Sequence, residues 1–315
     1  MNKHLRLLAA LAAFFLIALL FSGCYEEDEQ ALIPDEPPAL AEGAPRQEGV
    51  PPGTDEKLMT IHFIDVGQGD SIFIDFGDYE ILIDAGLQKY GKAVANYIAD
   101  FVEPPIELVI ATHPDADHIG GFPEIINMFD IEKILYNGMP KNTVTYKTFE
   151  VMSGGKQDCE FIVAEDAIFD MGNGASIEII TPVKRYKDVN DNSIVAVLRY
   201  NDVSILLTGD MEAKSEADLL DRFSQTNVLK AAHHGSRTSS SVEFLDRINP
   251  ECVIISAGLG NVYNHPHHAA LQRLIDTGAT VYGTQKDGTI TMSTDGNTYS
   301  VTATAALTLA DAGDN

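Results

Sequence analysis

Read from Leu58 onward, the chain is a succession of short apolar runs broken by glycine-containing turns. LMTIHFIDVG, SIFIDFG and YEILIDAG follow one another in this way, and the spacing predicts an antiparallel meander. GKAVANYIADFV places Val94, Ile98, Phe101 and Val102 at helical spacing, and ELVIATH is again strand-like. A helix after Gly120, a strand in EKILYNG, a helix from Thr143 and strands in CEFIVAE, AIFDMG and ASIEIITP complete a first batch. A second batch opens with SIVAVLRYN and VSILLTGD. It continues with helix EAKSEADLLDRF, strand NVLKAAHHG, helix SVEFLDRI, strand ECVIISAG and helix HHAALQRLIDTG. A hairpin, TITMSTDGNTYSVTA, closes it with an Asp-Gly-Asn turn.

Two batches of strands interleaved with helices are satisfied by an α/β architecture of mixed sheets covered by helices on their outer faces. Polar residues recur at the C-terminal ends of strands: Asp65, Asp84, His113, Asp210 and His233. Such ends converge at one rim, where loops carry chemistry on a rigid scaffold.

The first 57 residues break this pattern. Lys3 and Arg6 precede an apolar run, Leu7 to Phe21, followed by Ser22-Gly23-Cys24. A basic start, a short apolar stretch and small residues before a cut site predict a secretory signal over 1–23. The small residues before Cys24 resemble a bacterial lipobox, with Phe21 where leucine is usual, which implies lipidation of Cys24. An uncleaved N-terminal anchor is the other reading, and both put the body outside the cytoplasm, attached to the membrane. Residues 24–57 are rich in Pro, Glu and Ala without hydrophobic period, the composition of an unfolded tether. The folded domain is expected over 58–305, with 306–315 a disordered tail.

The net charge is −26. Residues 58–315 hold 37 acids against 17 bases. A surface this acidic repels polyphosphates unless a local basic patch or metal ions intervene. Cys252 lies in the apolar run CVIIS and reads as a buried small hydrophobe; the sequence does not pair it with Cys159.

The chemistry concentrates in three places. THPDADHIGG (112–121) crowds His113, Asp115, Asp117 and His118 after a strand; KAAHHGS brings His233 and His234; NHPHH brings His265, His267 and His268. Seven of the nine histidines fall in these clusters. Imidazole with carboxylate suits Zn, Mn or Fe. His113 and Asp115 can face one ion and Asp117 and His118 a second, and Asp210, closing SILLTGD, can bridge two. Lys230 and Arg237 flank the histidines and either contact an anionic substrate or offset the carboxylates. Ser236 and Ser239–Ser241 either cap the following helix or bind phosphate oxygens.

HxDxDH, LLTGD and HHGS together resemble the metallo-β-lactamase-fold superfamily. IDVGQGDS, LIDAG, THPDADHIGG, NDNSIV, LLTGD, LKAAHHGS and NVYNHPHH resemble in particular its ComEC/Rec2 branch, the extracellular hydrolase-like domain of the DNA-uptake competence protein. The resemblance spans roughly residues 58–290. It implies a four-layer αβ/βα sandwich of two mixed sheets flanked by helices, with a two-metal site on the rim and a metal-activated water. It implies metal ligation by His113, Asp115, Asp117, His118, Asp210 and His233. His234 and His265, with Asp117, would act on the substrate. Asp70, Asp84 and Asn192 would orient the ligands, and Lys230 and Ser236 would contact substrate. Asp115 stands where the antibiotic-degrading enzymes have histidine, and no histidine lies between His118 and His233. The first tilts preference toward Mn or a mixed site, with Zn still open, and the second argues against β-lactamase activity more than against catalysis.

The expected function is an anchored, extracytoplasmic hydrolase that uses two divalent ions, Zn or Mn, on a phosphodiester substrate such as DNA. Esterase action on an envelope polymer such as phosphorylcholine-decorated teichoic acid is an alternative. A catalytically silent module that binds DNA or another ligand is another.

Overall fold

A computed structural model describes residues 57–313. The expected signal, the expected lipidation site at Cys24 and the expected tether up to residue 56 lie outside the described residues.

The described residues form fifteen strands in two mixed sheets. The first sheet contains β1 (Met59–Phe63), β2 (Ile72–Asp75), β3 (Glu80–Ile83), β4 (Ile106–Ala111), β5 (Ile131–Tyr136) and β6 (Glu160–Val163). The second contains β7 (Ala167–Gly172), β8 (Ala175–Ile180), β9 (Val195–Tyr200), β10 (Val203–Leu207), β11 (Val228–Lys230), β12 (Cys252–Ile255) and β13 (Thr280–Gly283). The last two strands, β14 (Ile290–Thr294) and β15 (Tyr299–Thr302), return to the first sheet beside β1, in the order β15-β14-β1-β2-β3-β4-β5-β6. The second sheet runs β13-β12-β11-β10-β9-β8-β7. The expected meander is present: β1, β2 and β3 pair antiparallel. From β3 to β6, and from β10 to β13, the strands are parallel.

Side-chain alternation builds the layers. Ile81 and Ile83 on β3, Leu108 and Ile110 on β4, and Ile205 and Leu207 on β10 meet Ile177, Leu198 and Ile254 between the sheets. Leu82 and Val109 face the other way, under α1 (Gln88–Ile98), α3 (Phe122–Met128) and α4 (Val144–Gly155). The short α2 (Ala116–Ile119) begins this cover. Leu206, Leu229 and Val253 likewise face α5 (Ala213–Leu219), α6 (Val242–Ile248) and α7 (His268–Asp276). Strands buried on both faces explain the nearly continuous apolar runs in the sequence. The result is a four-layer αβ/βα sandwich.

Among the described strands and α-helices, three were not legible in the sequence: α2, β13 and the one-turn helix α8 (Thr284–Asp287). The expected helix at 212–223 is helical from Ala213, but its last turn, Leu220–Arg222, tightens to a 3-10 turn. Residues 306–313 are a correction. They are packed on the domain, not disordered: Leu307 is buried in the outer core, and its N–H donates to Val281 O at 2.7 Å. Leu309 and Ala312 pack against the same cluster, and Gly313 bridges to His267. The folded domain therefore reaches at least 313. Leu307→Ala should lower stability by about 2–3 kcal/mol in denaturant unfolding, the cost of truncating a buried leucine; an unpacked tail would show no change.

Candidate metal centre

Parallel pairing brings the chemical residues to one rim. β3 ends into Asp84, β4 into Thr112–His118, β10 into Asp210 and β11 into His233–His234. Gly120 and Gly121 permit the close packing expected of them: a Cβ on Gly121 would run into the Ala85 carbonyl. Gly69 has φ 136°, and a Cβ there would strike the Asp117 carbonyl, so the VGQGD turn closes directly over the 113–118 loop.

Asp210 is the hub. Its carboxylate lies 3.3 Å from His118 Nε2, 3.5 Å from His234 Nε2 and 3.8 Å from both His113 Nε2 and His233 Nε2. His234 Nε2 is also 3.4 Å from Asp117 Oδ2. His113 Nε2, His118 Nε2, His234 Nε2 and Asp210 Oδ1 are buried, and none has a hydrogen-bond partner among the described residues. Buried polar atoms without partners are rare and costly. Ligand atoms of His113, His118 and Asp210 lie within 4.8 Å of one another, as do those of Asp117, His118 and His234. A divalent cation satisfies such a set, so the residues present fit a metal.

Neighbouring bonds fix which imidazole nitrogen is free. Asp84 Oδ2 accepts from His118 Nδ1 at 2.7 Å and from Thr112 Oγ1 at 2.6 Å. The Thr112 hydroxyl proton is thereby used, so Thr112 Oγ1, 3.1 Å from His113 Nδ1, is the acceptor in that pair. Asp84 thus sets both rings with Nδ1 protonated and Nε2 turned to the centre. The Ser256 carbonyl, 3.0 Å from His234 Nδ1, does the same for the third. Such outer contacts orient ligands and raise their basicity. Asp84, His233 and His234 all adopt left-handed backbone, at φ 56°, 49° and 54°. Strain of this kind gathers at functional sites.

The electrostatics of the cluster follow from burial opposed by the charges its members place on one another. Burial pushes the Asp210 carboxyl up, but His234, His118 and His233 overcome this and hold it well below its ordinary value. Burial pulls His234 down, yet Asp210, Asp117 and Asp70 raise it from 6.5 to about 10. His118 is likewise raised by Asp210 and Asp84 against burial. His113 goes the other way, lowered by burial and by His118. His265 is lowered to about 3 by burial and by His234 and His233, so it stays neutral.

Most residues singled out from sequence meet here, with some changes of role. Asp70 is buried, 2.8 Å from Lys230 Nζ and 3.3 Å from His234 Nδ1. Lys230 is therefore not a substrate contact. On β11, Val228 and Lys230 share the face between the sheets, where the ammonium meets Asp70 and is fully buried. Asn192 does not touch the histidines. Its amide holds Tyr186, donating to Tyr186 O at 3.1 Å and accepting from Tyr186 N at 2.9 Å. The next residue, Ser193, stands 3.4 Å from His113 Nδ1 and accepts from Asp210 N. Ser236 is engaged with Thr238 at 2.9 Å, and Ser241 caps α6 as expected of one of these serines. Asp115 lies 4.0 Å from His113 Nε2 and 3.2 Å from Lys141 Nζ. Glu212 was missed: its carboxylate is 3.1 Å from His233 Nδ1 and accepts from Thr238. Its place two residues after Asp210 was the available signal. Gln68, 3.3 Å from His265 Nδ1, was missed too.

Asp84→Asn should weaken divalent-metal binding about 10–100-fold, the usual loss when a ligand's outer partner is removed; equilibrium titration with Mn or Zn measures it. In the metal-free protein His234 holds its extra proton at neutral pH. Its folded pKa exceeds the unfolded value, so its stabilisation is complete below ~6.5 and is lost as pH rises through about 10. Thermal unfolding of chelator-treated protein should fall over that window, and metal binding at pH 7 should release protons, read by calorimetry in buffers of different ionisation heat.

The family model described as the metallo-beta-lactamase superfamily matches residues 64–258. "ComE operon protein 3" of Bacillus subtilis is 28% identical over 260 residues, covering 73% of this chain and 32% of that protein. "Recombination protein 2" of Haemophilus influenzae is 30% identical, covering 67% of this chain and 26% of its own length. For "Competence protein ComA" of Neisseria gonorrhoeae the figures are 30%, 78% and 33%. The chain thus spans about a third or less of these curated relatives. The metallo-beta-lactamase fold protein YhfI of Bacillus subtilis overlays with TM-score 0.49 at 13% identity, covering 72% of this chain and 96% of that one. The chain belongs to the metallo-beta-lactamase superfamily, on the ComEC/Rec2-like branch that its motifs resemble.

Proposed function

We propose that the chain is a metal-dependent phosphodiester hydrolase held outside the cytoplasm by a lipidated Cys24. One observation carries the reading: four buried ligand atoms without partners, from His113, His118, His234 and Asp210, are drawn from three strand ends to one point. When bound there, a pair of divalent ions, Zn or Mn, would supply Lewis acidity, lowering the pKa of water from about 16 toward ~7 and stabilising charge on a phosphoryl oxygen.

The chain's own residues divide the remaining work. Asp117, His118 and His234, with Asp210, form the fuller ligand set. His113 and Asp115, with Asp210, form a thinner one, because Asp115 is shared with Lys141. Asp210 lies between the two. His233, held by Glu212, completes the wall beside Asp210. The Gln68 amide nitrogen is always a donor, so His265 Nδ1 accepts from it and Nε2 carries the ring proton. A neutral imidazole with that proton donates to a substrate oxygen or to the leaving group.

A second reading, ligand binding without turnover, is favoured by Ser193. This serine stands beside His113 in the region where many superfamily members supply another histidine. The two readings separate in one experiment. Purified protein should bind Mn or Zn and hydrolyse bis(p-nitrophenyl) phosphate or an oligodeoxynucleotide, and His118→Ala and Asp210→Asn should each cut turnover by about 100-fold or more. Protein that takes up no divalent metal, or variants with undiminished turnover, would overturn the hydrolase. Metal-loaded protein that binds the oligonucleotide and leaves it intact is the signature of the second reading.

A further inference from the structure

Asp115 stands at the metal centre yet is held at its edge. It is the N-cap residue of α2, where an aspartate ordinarily accepts from the first N–H groups of the helix, but its side chain makes no such bond. Its Oδ1 lies instead 3.2 Å from Lys141 Nζ and 4.0 Å from His113 Nε2. Among the described residues Asp115 belongs to none of the groups whose donor atoms lie within 4.8 Å of one another, whereas Asp117, His118, Asp210 and His234 all do. The carboxylate is therefore partnered by an ammonium before any metal arrives. A neutral imidazole at this position would have no charge with which to hold the lysine.

Lys141 is carried to that place by a segment pinned on both sides. Before it, Asn137 Nδ2 donates to Asn192 O at 3.0 Å, Asn137 Oδ1 accepts from Met139 N at 3.1 Å, and Gly138 O accepts from Arg185 Nη2 at 2.8 Å. Pro140 restricts the backbone just ahead of the lysine. After it, Thr143 Oγ1 accepts from Tyr146 N at 3.2 Å and caps α4. The side chains of Lys141 and Asp115 keep 33% and 27% of their exposure, so water screens the pair and leaves it weak enough to be displaced. A divalent cation carries twice the charge of the ammonium, and His113 and Asp210 stand beside Asp115 to share it. Asp117 carries no such guard: its partner is His234, and the nearby Lys230 is spent on Asp70.

We infer that Lys141 is a built-in competitor for the second divalent ion: it holds Asp115 until that ion displaces it, so the centre fills in order. The set of Asp117, His118, His234 and Asp210 fills first, and the set of His113, Asp115 and Asp210 follows only when divalent ions are plentiful. The inference rests on the metal-dependent reading of the centre and deepens it, naming how the same site is regulated. Ion and ammonium exclude each other at one carboxylate, so whatever weakens the lysine's hold strengthens the second ion's by the same factor. The competition is local. A cation two residues past Met139 acts on Asp115 by contact, and on the deeper, more buried set only through the general field, which salt screens.

The test is Mn titration of the chelator-treated full chain, with free Mn counted by electron paramagnetic resonance, for wild type, Lys141→Met and Lys141→Arg. Lys141 is partly exposed and its replacement leaves no buried group unpaired, so the variants fold. Wild type should take one ion tightly and a second about tenfold or more weakly. Lys141→Met should tighten the second step about tenfold and leave the first within about twofold, and Lys141→Arg, which keeps the charge, should resemble wild type. Asp115→Asn should weaken the second step in the wild-type and the Lys141→Met backgrounds alike, and in its presence Lys141→Met should no longer matter, as expected of two residues that act on each other. Two equal steps in wild type overturn the inference, as does a second step that Lys141→Met leaves unchanged. Equal tightening of both steps overturns it too, because that is the signature of a general field and not of contact with Asp115. Wild type that fills in the expected order and hydrolyses no phosphodiester sinks the hydrolase and leaves the competitor standing.

Discussion

A carboxylate that is nearly inaccessible to water, Asp210, sits within 4 Å of four imidazole nitrogens, and the rest of the rim is arranged around that fact. Removing a charge of this kind from water costs several kcal/mol even after the protein relaxes. Something positive has to stand beside it. In the metal-free state the protons on His118 and His234 do so, which is why both are raised against burial. A divalent cation would do it better, because the Nε2 atoms and Asp210 Oδ1, which have no hydrogen-bond partner among the described residues, could hold it.

The supporting residues follow from that demand. Asp84 reaches two ligand histidines, one directly and one through Thr112, so a single carboxylate sets two tautomers. Asp70 lies 3.3 Å from the Nδ1 of a third ring, His234, which the Ser256 carbonyl orients, and is itself neutralised by Lys230 from the second sheet. That ion pair ties the sheets together at their active edge. Breaking a buried pair by removing one partner leaves an uncompensated charge, so these residues serve geometry and stability at once. The left-handed backbone at Asp84, His233 and His234 is a local cost that the packed sheets tolerate.

Charge is also organised on a larger scale. An acidic domain with carboxylate-rich ligation suits hard divalent ions and repels loose polyanions. Cationic groups next to the centre are few: Lys141 faces Asp115, and Lys230 faces Asp70. The relatives with which this chain aligns are much longer proteins, and the chain corresponds to about a third of each or less. Among the described residues no helix is long and apolar enough to cross a membrane.

The layers and most of the ligands were legible in the sequence, because apolar alternation and clustered imidazoles are local signals. Leu108–Val109–Ile110 already says that one strand is buried on both faces, and THPDADHIGG already says that candidate ligands follow it. The short strand at Thr280–Gly283 lacks such a signal, and Leu307 reads as tail until the outer core it fills is known. Roles were harder than identities. Lys230 looks like a substrate contact until β11 turns it between the sheets to meet Asp70, 160 residues earlier in the chain. Asn192 and Ser193 are neighbours, yet the fold aims one at Tyr186 and the other at His113. Sequence by itself determined which elements form and which residue types could hold a metal, since both depend on periodicity and side-chain chemistry. Only the tertiary structure decided which nitrogen of each ring is free and that Lys230 is buried against Asp70, since those depend on partners brought together from distant strands.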